Sequence, residues 1–343
     1  CLPWRMVPMN DRFDVIIIGA GPAGIACAQA LAGSSLSVLL VEKNETVGPK
    51  ICAGGLTRMA FDFGIPEDQA RTFHIHTVHI NGRPPCRIVL TNPLKMVDRT
   101  ALSRYHLSKV EKAPNIELLT GAKLTAVDRG SIVTTKGAFQ YRHLVAADGS
   151  LSLVRKHLGL PSKFGVGLYY EVPRISDEVL FHFKPGIVRS GYLWVFPHLK
   201  HTNIGICFNP DTFTAGLAKI ILQQYIQEKG FQQEGARLKG GLINHLYCGF
   251  HFGDIFLAGD AAGLASRPSG EGIHFALASG REIGRKILDP GYDMREFSAL
   301  LSLKRRQEGY SRLFESVPRL QKIFLTSYFR LMRRPWMQAH MGY

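Results

Sequence analysis

The feature that most constrains this chain is Gly19-x-Gly21-x-x-Gly24, set between an apolar run and a small-residue run. Phe13–Ile18 is rich in β-branched residues with both faces apolar, the pattern of a buried parallel strand. Pro22–Ala32 reads as an Ala-rich helix closed by Gly33, and Leu36–Val41 as a second buried strand ending on Glu42. Together they make a βαβ unit of about 30 residues. In such a unit Gly19 permits the tight turn, Gly21 lets backbone approach a pyrophosphate, and Gly24 allows close helix–strand packing. The helix start at Pro22 and Ala23 turns free N–H groups and a positive dipole end toward the phosphates. Glu42 stands 18 positions after Gly24, where a carboxylate can accept hydrogen bonds from a ribose 2′-hydroxyl. An acid there disfavours a 2′-phosphate, and so disfavours NADP in this particular site. The expected ligand is a dinucleotide.

Further along, Phe73–Ile80 and Cys86–Leu90 look like strands joined by a turn at residues 81–85. Arg99–Glu111 reads as a helix, Ile116–Leu119 as a short strand, and Lys123–Asp128, Ser131–Thr135 and Phe139–Tyr141 as a small meander. His143–Ala147 is another buried strand. Aromatic-rich strands between Gly165 and Phe208 suggest an antiparallel sheet, Leu217–Glu228 a helix, and Gly272–Leu288 another. The nucleotide-type strands are separated by inserts, so the fold class expected is α/β. A Rossmann-like dinucleotide domain (11–62, 93–160 and 245–290) interleaves with an antiparallel-sheet α+β substrate domain (63–92 and 161–244). A C-terminal helical segment (291–343) follows.

Two segments repeat one design. Asp148-Gly149 follows the strand ending at Ala147 and precedes Ser152 and Arg155; Gly259-Asp260 follows the short strand Ile255–Ala258. An Asp at a strand end can bind a ribityl hydroxyl, and small residues after it let a helix N-terminus approach a cofactor. Either alone reads equally as a capped helix start. The two together, in this order after the Gly-rich loop, resemble the flavoprotein family that includes para-hydroxybenzoate hydroxylase and the geranylgeranyl reductases. The resemblance spans Asp11 to Leu288 and implies FAD as the cofactor. It implies that Glu42 binds the adenosine ribose, with Lys43 and Ala122 among the contacts, and that Asp260 binds the ribityl–pyrophosphate region. Asp148 and Gly149 would lie near the groove. Arg99 in Val97-Asp98-Arg99-x-x-Leu102 matches a family position beside FAD. The loop Pro268–Ile273, through Gly270, Gly272 and Ile273, would face the pyrimidine ring, where N–H donors stabilise an anionic reduced flavin.

Within that family Cys52-Ala53-Gly54-Gly55 and Gly191-Tyr192-Leu193-Trp194-Val195-Phe196-Pro197 resemble the geranylgeranyl reductase branch, whose members saturate isoprenoid double bonds. The first segment departs slightly from the branch's usual Cys-Gly-Gly-Gly, keeping the sulfur and the flexibility. Tyr192, Trp194 and Phe196 share one strand face; alternation alone favours a sheet core, and combined with the flavin motifs the face reads as a wall of the apolar substrate pocket. Cys52 is either a small buried hydrophobe or a residue over the flavin that positions substrate or helps deliver a proton. Cys52, Tyr192 and Trp194 are therefore the expected catalytic residues. The activity implied is reduction of geranylgeranyl or polyprenyl double bonds in lipid or isoprenoid precursors. A flavin monooxygenase of the aromatic-hydroxylase type, using NAD(P)H and oxygen, is the rival on the same scaffold. No second dinucleotide fingerprint is present, which fits NAD(P)H docking transiently or a ferredoxin-like donor, and no motif assigns an oligomeric state.

The charge is unusual. The chain has 42 Lys and Arg against 27 Asp and Glu, a net +15 that calls for an anionic partner. No nucleic-acid motif accompanies it, so nucleic acid is not expected. From Lys304 to Tyr343 nine Lys/Arg face only Glu308 and Glu315, interleaved with Phe314, Leu320, Ile323, Phe324, Phe329 and Trp336. Such a basic amphipathic helix pair suits peripheral contact with an anionic bilayer; it reads also as helices packed on the FAD domain with a basic face in water. Six scattered cysteines without a CxxC pair argue against a zinc site, an iron–sulfur cluster or a disulfide framework, and for a reducing, cytoplasmic setting. His74, His76 and His79 alternate across a strand and do not make a metal set. Residues 1–10 read as a loose leader rather than a signal peptide, and no apolar run approaches the ~20 residues of a spanning helix.

Overall fold

The computed structural model describes residues 11–48, 50–188, 191–233 and 235–343; the expected leader at residues 1–10 lies outside them. Two eight-stranded sheets organise the chain. In the first, Ile255–Leu257, Gly137–Ala146, Arg12–Ile18, Val38–Val41 and Ile116–Leu119 lie side by side and parallel. His251–Phe252 closes one edge antiparallel. Parallel strands must be covered on both faces, and the sequence supplies apolar residues for each. Val15, Ile17, Val38 and Leu40 pack beneath the helices Pro22–Leu31 and Ile273–Leu288, while Ile16, Ile18, Leu39 and Val41 pack on the other side.

The register carries the functional consequence. Ile18 pairs with both Val41 and Ala146, and Leu257 pairs with Ala146. The Gly-rich loop, Glu42, Asp148–Gly149 and Gly259–Asp260 therefore all emerge at one carboxyl edge of the sheet, where ligands of open α/β sheets bind.

One expectation is corrected here. Phe139–Tyr141 and His143–Ala147 are not two strands but one, Gly137–Ala146, whose first half pairs antiparallel with Ser131–Thr134 and whose second half runs parallel to Arg12–Ile18. Its alternating start and apolar end serve two different neighbours, and this change of period is what reads as a break.

The second sheet runs Lys239–Asn244, Phe164–Val172, Thr202–Phe208, Tyr192–Pro197, Val179–Phe183, Ala70–Ile80, Cys86–Val97, Gly55–Leu56. All its pairs are antiparallel except Val179–Phe183 with Ala70–Ile80. Cys86–Val97 runs seven residues past Leu90, so this sheet takes in positions beyond 92 and also Gly55–Leu56. Helix Ala215–Glu228 covers one face through Ala218, Leu222 and Ile226 against Leu193, Val195 and Ile204. The other face carries Tyr192, Trp194, Phe196, Val78 and Met96, and meets Leu325, Met332, Met337 and Met341 of the C-terminal helices. Those helices, Arg295–Ser316, Gln321–Leu331 and Pro335–Met341, thus lie largely across the second sheet. Gln338 fastens them there: its Oε1 accepts from the Thr91 N–H at 2.8 Å, and its Nε2 donates to the Val89 carbonyl at 2.9 Å.

Candidate functional site

The Gly-rich loop leaves Ile18 and caps the helix Pro22–Leu31, with Gly21 as N-cap and Pro22 in the first turn. Gly19 has φ +101°, and a Cβ there would crowd the Ala147 carbonyl; a Cβ at Gly24 would overlap the Gly19 carbonyl oxygen. These two glycines are demanded by the protein's own packing. Gly21 is different: a Cβ there meets nothing within 4 Å and would project into the cavity that Gly21 lines. Glu42 is buried and braces the loop, its Oε2 accepting from the Ala20 N–H at 3.0 Å and its Oε1 from the Asn44 N–H and side-chain amide at 3.0 and 2.8 Å. Lys43 is exposed and Ala122 is buried behind Glu42, donating its N–H to the Glu42 carbonyl; neither lines the cavity.

From this loop a cavity of about 220 Å³ runs between the two sheets. Gly21, Pro22, Ala23, Arg99, Gly149 and Asp260 line one end. Arg99 opens the helix Arg99–Leu107, which Asp98 caps by accepting from the Ala101 N–H at 2.8 Å. Arg99 is 7% exposed, and its Nη1 has no hydrogen-bond partner among the described residues. Asp260 accepts from Ser150 Oγ at 3.1 Å and pairs with Lys50 at 3.3 Å. Asp148 does not reach the cavity. Its Oδ2 accepts from the Leu153 N–H at 2.8 Å, its Oδ1 is buried without a partner among the described residues, and burial raises its pKa. Gly149 after it, with φ +81° and no neighbour for a Cβ, lines the wall instead.

These residues fit a dinucleotide cofactor. An unpartnered buried guanidinium nitrogen suits phosphate oxygens, a helix N-terminus faces the same space, and two glycines leave backbone unobstructed there. Arg155 ties the distant segments of this wall together: its guanidinium donates to the carbonyls of Pro161, Ala261 and Leu246 at 2.5–3.0 Å and is only 1% exposed.

The other end of the cavity is aromatic and apolar, lined by Leu94, Met96, Phe181, Tyr192, Trp194 and Phe196. Tyr192, Trp194 and Phe196 share the face toward it, with ring centroids about 6 Å apart in sequence. Their polar atoms are engaged elsewhere: Tyr192 Oη donates to the Ser269 carbonyl at 2.5 Å, and Trp194 Nε1 donates to Asn203 Oδ1 at 2.8 Å. Cys52 is half-buried in the same wall, its N–H donating to Tyr169 Oη at 3.2 Å and its Sγ accepting from the Gly54 N–H at 3.4 Å. Burial pushes the Tyr169 phenol up to about 12 and the Tyr192 phenol upward too.

Between the two ends lies the loop that starts the helix Ile273–Leu288. Gly270 takes φ +68°, and Gly270, Glu271, Gly272 and Ile273 all line the cavity. Glu271 is missed by the sequence reading, which weighs only the glycines around it. Its carboxylate accepts from Thr57 Oγ1 at 2.6 Å, and burial raises its pKa to about 7. An acid set between two glycines at a helix start was the available signal. Also unforeseen is a second cavity of about 110 Å³, walled by the C-terminal helices through Tyr310, Phe314, Leu325, Tyr328 and Phe329. It shares Phe181, Tyr192, Ser269, Glu271 and Tyr343 with the first. His76 lines it, buried against Phe181 and Tyr343 and pushed down to about 4 by that burial, whereas His74 is exposed.

Comparison with known proteins agrees with this geometry. Residues 13–178 match the family described as pyridine nucleotide-disulphide oxidoreductase. The chain is 28% identical to a digeranylgeranylglycerophospholipid reductase of Methanothermobacter thermautotrophicus, over 82% of this chain and 80% of that one. Among solved structures, a geranylgeranyl bacteriochlorophyll reductase-like protein from Thermoplasma acidophilum superposes with TM-score 0.78 at 19% identity, covering 94% of this chain and 92% of the other. A probable FAD-dependent monooxygenase from Pseudomonas aeruginosa shares the fold, with TM-score 0.67 at 18% identity over 92% and 99% of the two chains. The chain is thus similar over most of its length to proteins named as geranylgeranyl reductases, and its fold is that of FAD-dependent oxidoreductases.

Proposed function

We propose that this protein saturates carbon–carbon double bonds of geranylgeranyl or other polyprenyl groups in lipid or isoprenoid precursors. The observation that carries the reading is one cavity lined by Gly21, Pro22, Arg99 and Asp260 at one end and by an aromatic wall at the other. When bound in its reduced form, FAD supplies a hydride. The chain's residues do the rest. Arg99 and the helix start at Gly21–Pro22 would neutralise the pyrophosphate, and Asp260 and Gly149 would hold the ribityl chain. Glu42, which braces the loop, would hold the adenosine side, while Gly270, Gly272 and Ile273 would shape the wall beside the ring system. An isolated double bond is a poor hydride acceptor, so it must be held close and dry. Tyr192, Trp194 and Phe196 exclude water and offer ring faces to positive charge developing on the chain. The Tyr192–Ser269 hydrogen bond ties that wall to the cofactor loop, and Cys52 lines the same cavity.

The reductant proposed is NAD(P)H docking transiently or a ferredoxin-like donor. A lipid substrate also gives meaning to the basic C-terminal face, for which we propose peripheral contact with the anionic inner face of the cytoplasmic membrane. No described helix is long and apolar enough to cross one.

Anaerobic addition of geranylgeranyl lipids to the photoreduced, FAD-loaded protein tests the function. The expected outcome is return of the oxidised flavin spectrum, with a product heavier by two hydrogens per bond reduced. Failure of every polyprenyl compound to reoxidise the flavin, or oxygen consumption with an aromatic substrate, would defeat the proposal.

A further inference from the structure

Saturating a double bond takes a proton as well as a hydride, and among the described residues the shared wall of the two cavities holds one side-chain carboxyl group. Glu271 lies deep between the sheets, and what accessible surface it keeps faces the two cavities it lines. One oxygen is fixed by Thr57 Oγ1, which comes from the segment just after Gly55–Leu56. Its backbone is pinned as well, the carbonyl accepting from the Ser266 N–H at 2.8 Å and the N–H donating to Ser269 Oγ at 3.2 Å. Among the described residues no lysine or arginine pairs with it: Arg267 on the same loop is taken by Glu315, and Lys50 by Asp260.

We propose that Glu271 is the acid that protonates the substrate carbon, an inference that rests on the prenyl-reductase reading above. The balance closes within that reaction. The carboxyl O–H bond breaks and a carbon–hydrogen bond forms on one alkene carbon, while the hydride from the reduced cofactor adds to the other. The alkene is reduced, the cofactor is oxidised, and the carboxylate regains its proton from solvent in the next cycle. The Thr57 hydroxyl stabilises the carboxylate left behind.

The groups facing Glu271 leave it as the one suited to the task. Tyr192, from the second sheet, and Tyr343, beyond the helix Pro335–Met341, are phenols that burial pushes above their ordinary range, so neither releases a proton at neutral pH. His274, in the first turn of the helix Ile273–Leu288, donates from Nδ1 to the Met59 carbonyl at 3.0 Å, and burial pushes it down to about 4. Burial without a countercharge raises Glu271 itself to about 7, where a carboxyl is still protonated yet able to give the proton up.

Infrared titration of the protein without FAD, from pH 5 to 9, should show a protonated-carboxyl band disappearing with a midpoint near 7. Glu271→Gln should remove that band. In single-turnover reoxidation of the FAD-loaded enzyme, the wild-type rate should fall as pH rises through the same midpoint, because the protonated form is the donor. Glu271→Gln, isosteric and with FAD still bound, should lose about 10²-fold or more and show a flat profile. Thr57→Val removes the bond that favours the carboxylate, so its profile should move to higher pH. Wild-type turnover matched in rate and pH profile by Glu271→Gln would overturn this assignment alone. A carboxyl band with its midpoint near 7 that persists undiminished in Glu271→Gln would overturn it too. Absence of turnover by the wild-type protein with every prenyl lipid would overturn the parent reading, and this one with it.

Discussion

Glycines at adjacent positions of one loop do different work, and substitution separates them. Gly24 cannot carry a side chain because the Gly19 carbonyl occupies its place, whereas Gly21 faces only the cavity and has an ordinary φ of −80°. Gly21→Ala should therefore leave the melting temperature of the FAD-free protein unchanged while weakening FAD binding at least about tenfold, equivalent to roughly 1.4 kcal/mol. Paired thermal melts and fluorescence titration with FAD read both quantities. A variant that binds FAD as tightly as the parent would show that backbone at Gly21 does not approach the cofactor. The motif's spacing made all three glycines legible. Which of them serve the fold and which faces ligand depended on what lies opposite, and for Gly19 that is Ala147, from a strand more than a hundred positions away.

At the level of elements, the site depends on how closely the helices Pro22–Leu31 and Ile273–Leu288 approach. Both begin at the cavity, and both carry small residues where they cross. A Cβ at Gly280 would overlap the Ala23 carbonyl, and one at Gly284 would come within 2.7 Å of Ala30 Cβ. Gly280→Ala should thus force the helices apart despite alanine's better helix propensity. Overpacking of this kind costs about 1–3 kcal/mol, which a lowered urea midpoint in the FAD-free protein would register; a raised midpoint would mean the crossing is loose. The amphipathic pattern of Gly272–Leu288 identified the helix, but nothing local marks Gly280 as a contact rather than a weak point. The same limit explains the strand Gly137–Ala146. Its two halves follow the two periods of two different neighbours, so local pattern divides what the sheet joins.

For the whole molecule, the net charge of +15 is distributed to a purpose suggested by the C-terminal helices. Inward, Phe314, Leu325, Tyr328 and Phe329 wall the second cavity. Outward, Leu313, Leu320, Ile323, Leu331 and Trp336 are 42–61% exposed, among the exposed cations Arg312, Arg319, Lys322, Arg330, Arg333 and Arg334. Among the described residues only Arg312 of these six has a carboxylate within 4 Å. Each unpaired cation near an anionic leaflet contributes about 1 kcal/mol, and the exposed apolar side chains add burial in the interface. The protein should float with vesicles rich in anionic lipid, remain behind with neutral ones, and be largely released when added salt shortens the screening length to about 3 Å. Charge reversal at Arg319, Lys322 and Arg330 together should abolish flotation without altering FAD binding. Equal flotation on neutral vesicles would remove electrostatics from the account.

The sequence by itself determined the βαβ unit with its Gly-rich loop and the aromatic face of Tyr192–Pro197, because each is written in spacing over fewer than about thirty residues and depends on backbone geometry alone. The tertiary structure decided the rest. Thr57 meets Glu271 across 214 positions, Arg155 reaches Leu246 across 91, and Gln338 grips the strand at Val89–Thr91 from nearly 250 away. Asp148, which looked like a cofactor ligand, turns back to its own helix start, while Glu271 beside the expected glycines faces the cavity. Local pattern says where a side chain can point. Burial, charge state and partner are properties of what else the fold brings to that point, and at Glu271 those are what make a carboxyl group an acid.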